Sequence, residues 1–268
     1  MTPTPADEWT FPTERVGRRV LVFDELDSTN TFAAALPSDT DEGLVVVARD
    51  QTAGRGRFGR AWRSRPGAAL LMSVVLTPPP ELRRPVILTA WAAVAVGEAI
   101  RELAGVQARI KWPNDLLVRG KKVCGILIEQ GARVVAGIGL NLAQTADEFA
   151  ALGLPDAASL GCFAPAVELR TAAEAVVRNL DAEWSRLLAG ERAAVEADWK
   201  WRIGFLGRDV EVERSDGSRP TGRLRELGFD GLDLELPDGT VERIPPEAVE
   251  HVREAPFAKP GDGRPRAS

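Results

Sequence analysis

Residues 51–62 read Gln-Thr-Ala-Gly-Arg-Gly-Arg-Phe-Gly-Arg-Ala-Trp, and the rest of the chain is organised around this stretch. Its glycines permit positive φ and let the backbone approach a ligand closely. Its arginines supply permanent charge in a planar fork that suits phosphate and carboxylate oxygens. The composition predicts a cationic loop that closes over an anion, with an exposed Arg/Gly linker as the alternative.

The residues that follow this stretch determine which known phosphate-binding motifs it can match. Gly54, Gly56 and Gly59 match the spacing of a dinucleotide-binding fingerprint, and the first of them begins half of a P-loop. Both motifs need a helix directly afterwards, whose N-terminus holds the phosphate. Here a turn at 64–67 leads into the strand-like run 68–76. The stretch is therefore predicted to connect two strands, and neither phosphate motif applies.

Length, charge and cysteine content narrow the class of protein. A chain of 268 residues can form one large domain with a small companion. The net charge of −5 disfavours nucleic acid as the main partner, and about eighteen leading residues are too few for a DNA-reading module. Two cysteines in apolar or loop contexts predict a cytoplasmic location, and no membrane span is expected.

Apolar runs and turn residues predict the order of the elements. Residues 1–17 are predicted to be a disordered N-terminal segment, 18–203 the main domain, 204–254 a small antiparallel barrel marked by Asp-Gly turns, and 255–268 a disordered tail. Within the main domain the patterns predict strands at 19–23, 43–48, 68–76, 109–112, 115–118, 122–130 and 133–142, and helices at 31–36, 84–103, 166–189 and 191–202.

Four segments stand out as candidates for chemistry: Ser28-Thr29-Asn30, the stretch 51–62, residues 111–115 (Lys-Trp-Pro-Asn-Asp) and residues 122–127 (Lys-Val-Cys-Gly-Ile-Leu). Only five lysines occur in the chain, and three of them lie between positions 111 and 122, where a compact ammonium could be needed. The only histidine is near the C-terminus, which disfavours a histidine-based triad. These residues suit catalysis by positioning and charge stabilisation.

In order and spacing these segments resemble the signatures of the biotin protein ligases. The matching motifs are G-R-G-R-x-G-R-x-W at 54–62, K-W-P-N-D at 111–115 and K-x-x-G-I-L at 122–127, and the resemblance covers roughly residues 19–252. It implies an α+β fold, with a mixed sheet flanked by helices as in class II tRNA synthetases, and a C-terminal SH3-like β-barrel. It also implies two half-reactions: biotin and Mg-ATP form biotinyl-5′-AMP, and a lysine of a biotin carboxyl carrier domain then displaces AMP.

The resemblance also implies roles for single residues. Biotin contacts are expected at Ser28, Thr29, Asn30, Gln51, Gly54, Arg55, Arg57, Lys122 and Gly125. Contacts with ATP or the adenylate are expected at Arg55, Arg57, Arg60, Trp62, Lys111, Asn114, Lys122 and Asn141. The implied catalytic residues are Lys122 and Arg57, which would stabilise charge, and Asp115, which would orient or deprotonate the acceptor lysine. Mg²⁺ is expected on the phosphates of ATP and not on protein ligands.

Simpler roles and other functions compete with this interpretation. Ser28 could cap a helix, Arg60 could be solvated and Trp62 could belong to the core. The implied acceptor is the carrier domain of an acyl-CoA or pyruvate carboxylase, and the enzyme is expected to be a monomer or weak homodimer. Some family members repress transcription through an N-terminal DNA-binding domain, and that role is not carried over. The rival functions are a lipoate or octanoate ligase or transferase of the same fold, an RNA-binding protein and an inactive biotin sensor.

Overall fold

The computed structural model describes residues 3–255, which form two compact units that divide between Gly204 and Phe205. The first unit contains eight strands and five helices among the described residues. Its strands are β1 Asp7–Trp9, β2 Val20–Leu26, β3 Val45–Gln51, β4 Ala69–Leu76, β5 Arg109–Lys111, β6 Asp115–Val118, β7 Lys121–Gln130 and β8 Val134–Asn141. Its helices are α1 Thr29–Ala34, α2 Pro85–Ala104, α3 Ala146–Ala151, α4 Leu169–Leu188 and α5 Arg192–Ile203.

One sheet joins all eight strands, in the order β1-β2-β3-β4-β8-β7-β6-β5. Strands β2 and β3 run parallel, whereas the other neighbouring pairs are antiparallel. The sheet is therefore mixed, and helices pack against it. The α+β prediction of a mixed sheet flanked by helices is confirmed.

Side-chain alternation divides the central strands into two faces. On one face Val135 packs with Ala33 of α1, and Asn30 of α1 lies over Gly137. Residues of the other parity, such as Ile126 and Ile138, are buried on the opposite face. The long helices α2 and α4 pack on each other, and α2 packs on β7 and β8. The face that carries α1 is thus the one whose residues concern the candidate site.

Residues 7–16 of the N-terminal segment are held against the rest of the first unit, which corrects the prediction of disorder there, whereas residues 1–2 lie outside the described residues. Strand β1 pairs with β2, and Trp9 and Phe11 are buried. The carboxylate of Asp181 in α4 accepts the backbone N–H groups of residues 14, 15 and 16, each at 2.8 Å. Composition suggested disorder because the segment is rich in Pro, Thr and charge, but two aromatic anchors and a distant carboxylate hold it in place.

Helix α3 was not predicted, because it is short and lies in a stretch with few large apolar residues. It begins with a capping box, in which the Thr145 side chain accepts from the Glu148 N–H while the Glu148 carboxylate accepts from the Thr145 N–H. A tight turn joins β6 to β7: Arg119 and Gly120 both have positive φ, 49° and 80°, as a two-residue hairpin requires.

The second unit is a five-stranded antiparallel sheet in the order β12-β11-β10-β9-β13. Its strands are β9 Asp209–Arg214, β10 Thr221–Gly228, β11 Gly231–Glu235, β12 Val241–Ile244 and β13 Val249–Glu254. Among the described residues the two edge strands, β12 and β13, do not pair with each other, so the sheet is open in its hydrogen bonding. The barrel closure predicted here is not confirmed. The tail predicted for 255–268 lies, beyond Ala255, outside the described residues.

Between residues 3 and 255, none of the helices has the length and apolar character that crossing a membrane would require.

Candidate active site

The Arg/Gly stretch connects the antiparallel neighbours β3 and β4, as predicted. It folds back on itself: the Gly56 N–H donates to the Arg60 carbonyl at 2.7 Å, and the Trp62 N–H donates to the Gly54 carbonyl at 2.9 Å. A 3₁₀ turn at Arg57–Gly59 forms its tip. We call residues 51–62 the arginine loop.

The arginine loop ends in Trp62, whose indole lies on two sheet glycines. Gly125 of β7 and Gly139 of β8 are directly opposite each other in the ladder. A Cβ added at Gly125 would lie 2.9 Å from the Trp62 ring, and one added at Gly139 would lie 2.7 Å from it. No side chain fits between this part of the sheet and the indole. Glycine is needed at both positions because the ring approaches the backbone itself.

Lys122 and Asp115 form an ion pair beside this tryptophan. The Lys122 Nζ lies 2.7 Å from the Asp115 Oδ1 and 5.8 Å from the centroid of a Trp62 ring. The Lys122 backbone is held on both sides, since its N–H donates to the Asp156 carbonyl and its carbonyl accepts from the Ala158 N–H, each at 2.8 Å. A fixed backbone with a half-exposed ammonium is suited to meeting an anion.

Lys121, the neighbouring lysine, points elsewhere. Its Nζ donates to the Pro155 carbonyl at 2.9 Å and lies 3.4 Å from a carboxylate oxygen of Asp156. The two adjacent lysines are thus separated by strand alternation, and only Lys122 joins the candidate site.

Arg57 reaches from the tip of the arginine loop to the Lys111–Asp115 motif. Its Nη1 donates to the Asn114 Oδ1 at 3.4 Å. Asn114 is itself fixed, because its Nδ2 donates to the Ile126 carbonyl at 2.8 Å and its carbonyl accepts the Ile126 N–H at 2.9 Å. Three separate motifs in the sequence therefore meet at one place on the sheet.

A second grouping of polar side chains lies at the start of α1. Ser28 is the N-cap, and its hydroxyl accepts the Thr31 N–H at 3.5 Å, so the capping role proposed as an alternative is present. The Gln51 Oε1 accepts both the N–H of Thr29 at 2.7 Å and its hydroxyl at 3.0 Å. Ser28, Thr29 and Gln51 here form a neutral polar grouping, which we call the slot.

Asn30 continues this grouping across the sheet. Its Oδ1 accepts from the Ser73 hydroxyl at 2.5 Å, and its Nδ2 donates to the Glu129 Oε2 at 2.7 Å. That Glu129 oxygen also accepts from Arg55 at 2.8 Å. A Cβ at Gly137 would lie 2.2 Å from the Asn30 Oδ1, so the asparagine occupies the space that this glycine leaves.

Three expected site residues lie apart from these groupings. Lys111 is exposed on the edge strand β5, although Asp115 is its partner across the ladder. Arg60 is exposed on the arginine loop. Asn141 is buried at the end of β8, where its Nδ2 donates to the Ala158 carbonyl at 3.0 Å. Their expected contacts with a nucleotide remain predictions.

Four residues at these groupings were missed in the sequence: Ser73, Glu129, Gly137 and Gly139. Ser73 and the two glycines leave a signal that local physics explains, whereas Glu129 leaves none. Ser73 is the one polar residue of the apolar run 69–76, and a buried hydroxyl needs a partner. The two glycines interrupt the interior of a strand, where they often mark a close approach of another group.

Neither the thiol of Cys124 nor a metal cluster among the described residues is available for the chemistry. Burial raises the pKa of the Cys124 thiol well above its usual range, so it stays protonated although Lys122 is nearby. Residues 3–255 contain no group of three or more His, Cys, Asp or Glu side chains that could hold an ion. The available groups are cations, the carboxylates of Asp115 and Glu129, and neutral hydrogen-bonding side chains.

One face of the mixed sheet thus carries the arginine loop, a lysine–aspartate ion pair and a grouping of neutral polar side chains. The model of the biotin/lipoate A/B protein ligase family matches residues 22–141. The biotin–[acetyl-CoA-carboxylase] ligase of Mycobacterium tuberculosis is 32% identical over 247 residues, which are 85% of this chain and 88% of that protein. The chain therefore belongs to this ligase family, and the resemblance seen in the motifs is confirmed.

Other relatives match part of the chain or its fold. The bifunctional ligase/repressor BirA of Bacillus subtilis is 44% identical over 144 residues, which cover 51% of this chain and 44% of that protein, so the match spans less than half of that relative. The structure of the biotin protein ligase from Aquifex aeolicus in complex with biotin and ATP has a TM-score of 0.76 at 24% identity, covering 88% of this chain and 99% of that one. This last similarity shows the fold.

Proposed function

We propose that the protein joins biotin to a lysine of a biotin carboxyl carrier domain in two steps. In the first, a biotin carboxylate oxygen attacks the α-phosphorus of ATP, giving biotinyl-5′-AMP and pyrophosphate. In the second, the amine of the acceptor lysine attacks the acyl carbon, loses a proton and releases AMP. The relative from M. tuberculosis is named for this kind of ligation, and the Aquifex structure contains biotin and ATP.

The observation that carries the proposal is the meeting of three motifs around Trp62. The arginine loop, the Asp115 carboxylate and the Lys122 ammonium lie together over the paired glycines Gly125 and Gly139. A carboxylate and a triphosphate repel each other, and preorganised cations offset that repulsion as charge develops in the transition state. A neutral polar slot beside the cations suits the ureido head of biotin.

In the first step Lys122 would bridge the biotin carboxylate and the α-phosphate, and Arg57 would neutralise phosphate charge. Lys122 can change partners at modest cost, since its ion pair with Asp115 is partly exposed to solvent. The Thr29 hydroxyl can also turn to a ligand, because the Gln51 Oε1 keeps its bond from the Thr29 N–H. Ser28 and Asn30 would complete the slot, and the backbones of Gly54 and Gly125 would contact biotin.

In the second step Asp115 would orient the acceptor lysine or accept its proton. When Lys122 turns to the phosphate, the Asp115 carboxylate loses this ion-pair partner and can bind an incoming ammonium in its place. Trp62, with Arg55, Arg60, Lys111, Asn114 and Asn141, would contact the nucleotide. Mg²⁺ would come with ATP, shielding the charge of its phosphates.

Further features of the proposal concern the whole protein. The acceptor would be the carrier domain of an acyl-CoA or pyruvate carboxylase, and the enzyme would act in the cytoplasm, where its two unpaired cysteines stay reduced. We also propose that the second unit is an SH3-like barrel in which the two edge strands, β12 and β13, are not joined by backbone hydrogen bonds. A monomer or weak homodimer is the expected assembly.

Exchange of radiolabelled pyrophosphate into ATP tests the first half-reaction directly. We expect exchange to require both biotin and Mg²⁺ and not to occur when lipoate or octanoate replaces biotin. Equal exchange with lipoate in place of biotin would assign the protein as a lipoate ligase of the same fold. Absence of exchange together with tight biotin binding would instead indicate a biotin sensor.

A further inference from the structure

One continuous chain of hydrogen bonds crosses the sheet beneath the arginine loop. It begins at Arg55, whose Nη2 donates to the Glu129 Oε2 at 2.8 Å, and the same oxygen accepts the Asn30 Nδ2 at 2.7 Å. The Asn30 Oδ1 accepts the Ser73 hydroxyl at 2.5 Å. The chain thus passes from the loop through the sheet face to the buried start of α1.

The same chain then returns to the arginine loop. The Ser73 Oγ lies 2.8 Å from the Thr29 Oγ1, and the Thr29 N–H donates to the Gln51 Oε1 at 2.7 Å. Because the Ser73 proton is given to Asn30, the chain is continuous when the Thr29 hydroxyl donates to Ser73 and the Thr29 N–H alone binds Gln51. Gln51 is the first residue of the loop, and Arg55 is the fifth. The loop is therefore fastened at two points by one polar network, which passes directly through the proposed biotin slot.

We infer that Glu129 is a positioning residue that makes biotin binding and closure of the arginine loop depend on each other. This inference rests on the proposed function. Glu129 binds the slot residue Asn30 and the loop residue Arg55 with one oxygen, so a ligand that orders Asn30 also favours the closed loop. Arg55 then holds the loop through Glu129 as well as reaching the nucleotide, while Arg57 and Lys122 offset most of the negative charge of the ligands.

A simple surface ion pair between Glu129 and Arg55 would have little effect, because the two side chains are 34% and 46% exposed. A larger effect is expected because Glu129 also binds the buried side chain of Asn30. Asn30 is only 4% exposed, and its amide N–H points at the Glu129 carboxylate. Loss of that acceptor leaves a buried donor with only the Leu127 carbonyl, 3.4 Å away. The effect of Glu129 should therefore reach the slot and not only the loop.

The test compares Glu129→Gln with the control Glu8→Gln. Glutamine keeps the shape of the side chain and one acceptor oxygen, but it removes the charge that strengthens the bonds to both Asn30 and Arg55. Glu8 likewise pairs with an arginine, Arg19 at 2.9 Å, on an exposed part of the sheet edge. Each variant is measured for pyrophosphate exchange against biotin concentration, for amide hydrogen exchange of residues 51–62, and for melting temperature.

For Glu129→Gln we expect the KM for biotin to rise about tenfold while kcat stays within about threefold, as loss of one charge-assisted bond to the slot predicts. The loop amides should exchange faster even without ligand, and Glu8→Gln should match the wild type in both measurements. A purely structural role would lower the melting temperature and leave KM and loop exchange unchanged. That result would overturn the inference.

A double-mutant cycle with Arg55→Gln adds an independent criterion. If Glu129 acts through Arg55, the loop exchange of the double variant should equal that of the single variants. Additive increases would overturn the tie between the two residues. If the wild-type protein showed no biotin-dependent pyrophosphate exchange, the proposed function would be wrong. Amide hydrogen exchange of residues 51–62 in the free protein would still decide whether Glu129 fastens the loop.

Discussion

Two polar groupings on the same face of the large sheet differ in burial, and the difference separates their roles. Lys122 and Asp115 form a pair whose side chains are 37% and 21% exposed. The network from Arg55 to Gln51 instead passes through Thr29, Asn30 and Ser73, which are nearly or fully buried. A partly solvated pair can exchange its partners for a ligand at little cost, while a buried network cannot lose a member without leaving a polar group unsatisfied.

This contrast assigns chemistry to one grouping and preorganisation to the other. The exposed pair should matter greatly for rate and little for stability. The buried network should affect stability and ligand affinity more than the chemical step. Three substitutions test this division.

Lys122→Ala should lower the rate of biotin-dependent pyrophosphate exchange by about 10²–10³, the usual loss when one preorganised donor to developing charge is removed. Lys121→Ala is the matched control and should stay near the wild type, because that ammonium binds the 155–156 segment. Single-turnover formation of the adenylate gives the rate of the chemical step. Similar losses in both variants would show that the wrong lysine was assigned.

Gly137→Ala should lower the free energy of unfolding by about 1–3 kcal/mol, since overpacking a filled site forces neighbours to move. The added Cβ would lie 2.2 Å from the Asn30 Oδ1. Gly131→Ala is the control, because a Cβ there would meet only the Arg133 carbonyl, at 3.9 Å. Urea unfolding of both variants measures the difference. Equal stability would mean that Asn30 can leave the network without loss.

Asp115→Asn should change the free energy of unfolding by less than about 1 kcal/mol, as for other solvent-exposed ion pairs. Asparagine keeps the shape of the side chain, and the variant can be compared with the wild type in the same urea titration. A loss above about 2 kcal/mol would place the pair among structural ion pairs and remove the contrast with the buried network.

Much of the main unit could be predicted from local patterns. The apolar runs at 68–76 and 122–130 became β4 and β7 with ends within one residue, and the long helix at 84–103 became Pro85–Ala104. Such elements are predictable because buried apolar residues recur along the sequence at the spacing of a helix or a strand. The N-terminal strand and α3 were missed because partners distant in sequence or a local cap, and not periodicity, hold them.

The site could be predicted only in part, for a related reason. The glycine and arginine spacing and the two lysine-containing motifs identify residues that gather around Trp62. Glu129 and Ser73 carry no motif of their own that was recognised. Their importance comes from residues in other strands and in α1 that they bind, and no spacing along one strand reveals such partners.

By itself, the sequence determined the type and order of most elements of the main unit, the family, and the chemical groups available, because periodicity, turn residues and motif spacing are local properties. Only the tertiary structure decided which of two adjacent lysines meets Asp115, why glycines stand at 125, 137 and 139, and how Glu129 joins Asn30 to Arg55. Those outcomes depend on strand register and on which face each residue occupies, and register arises when distant segments pair and bury their side chains together.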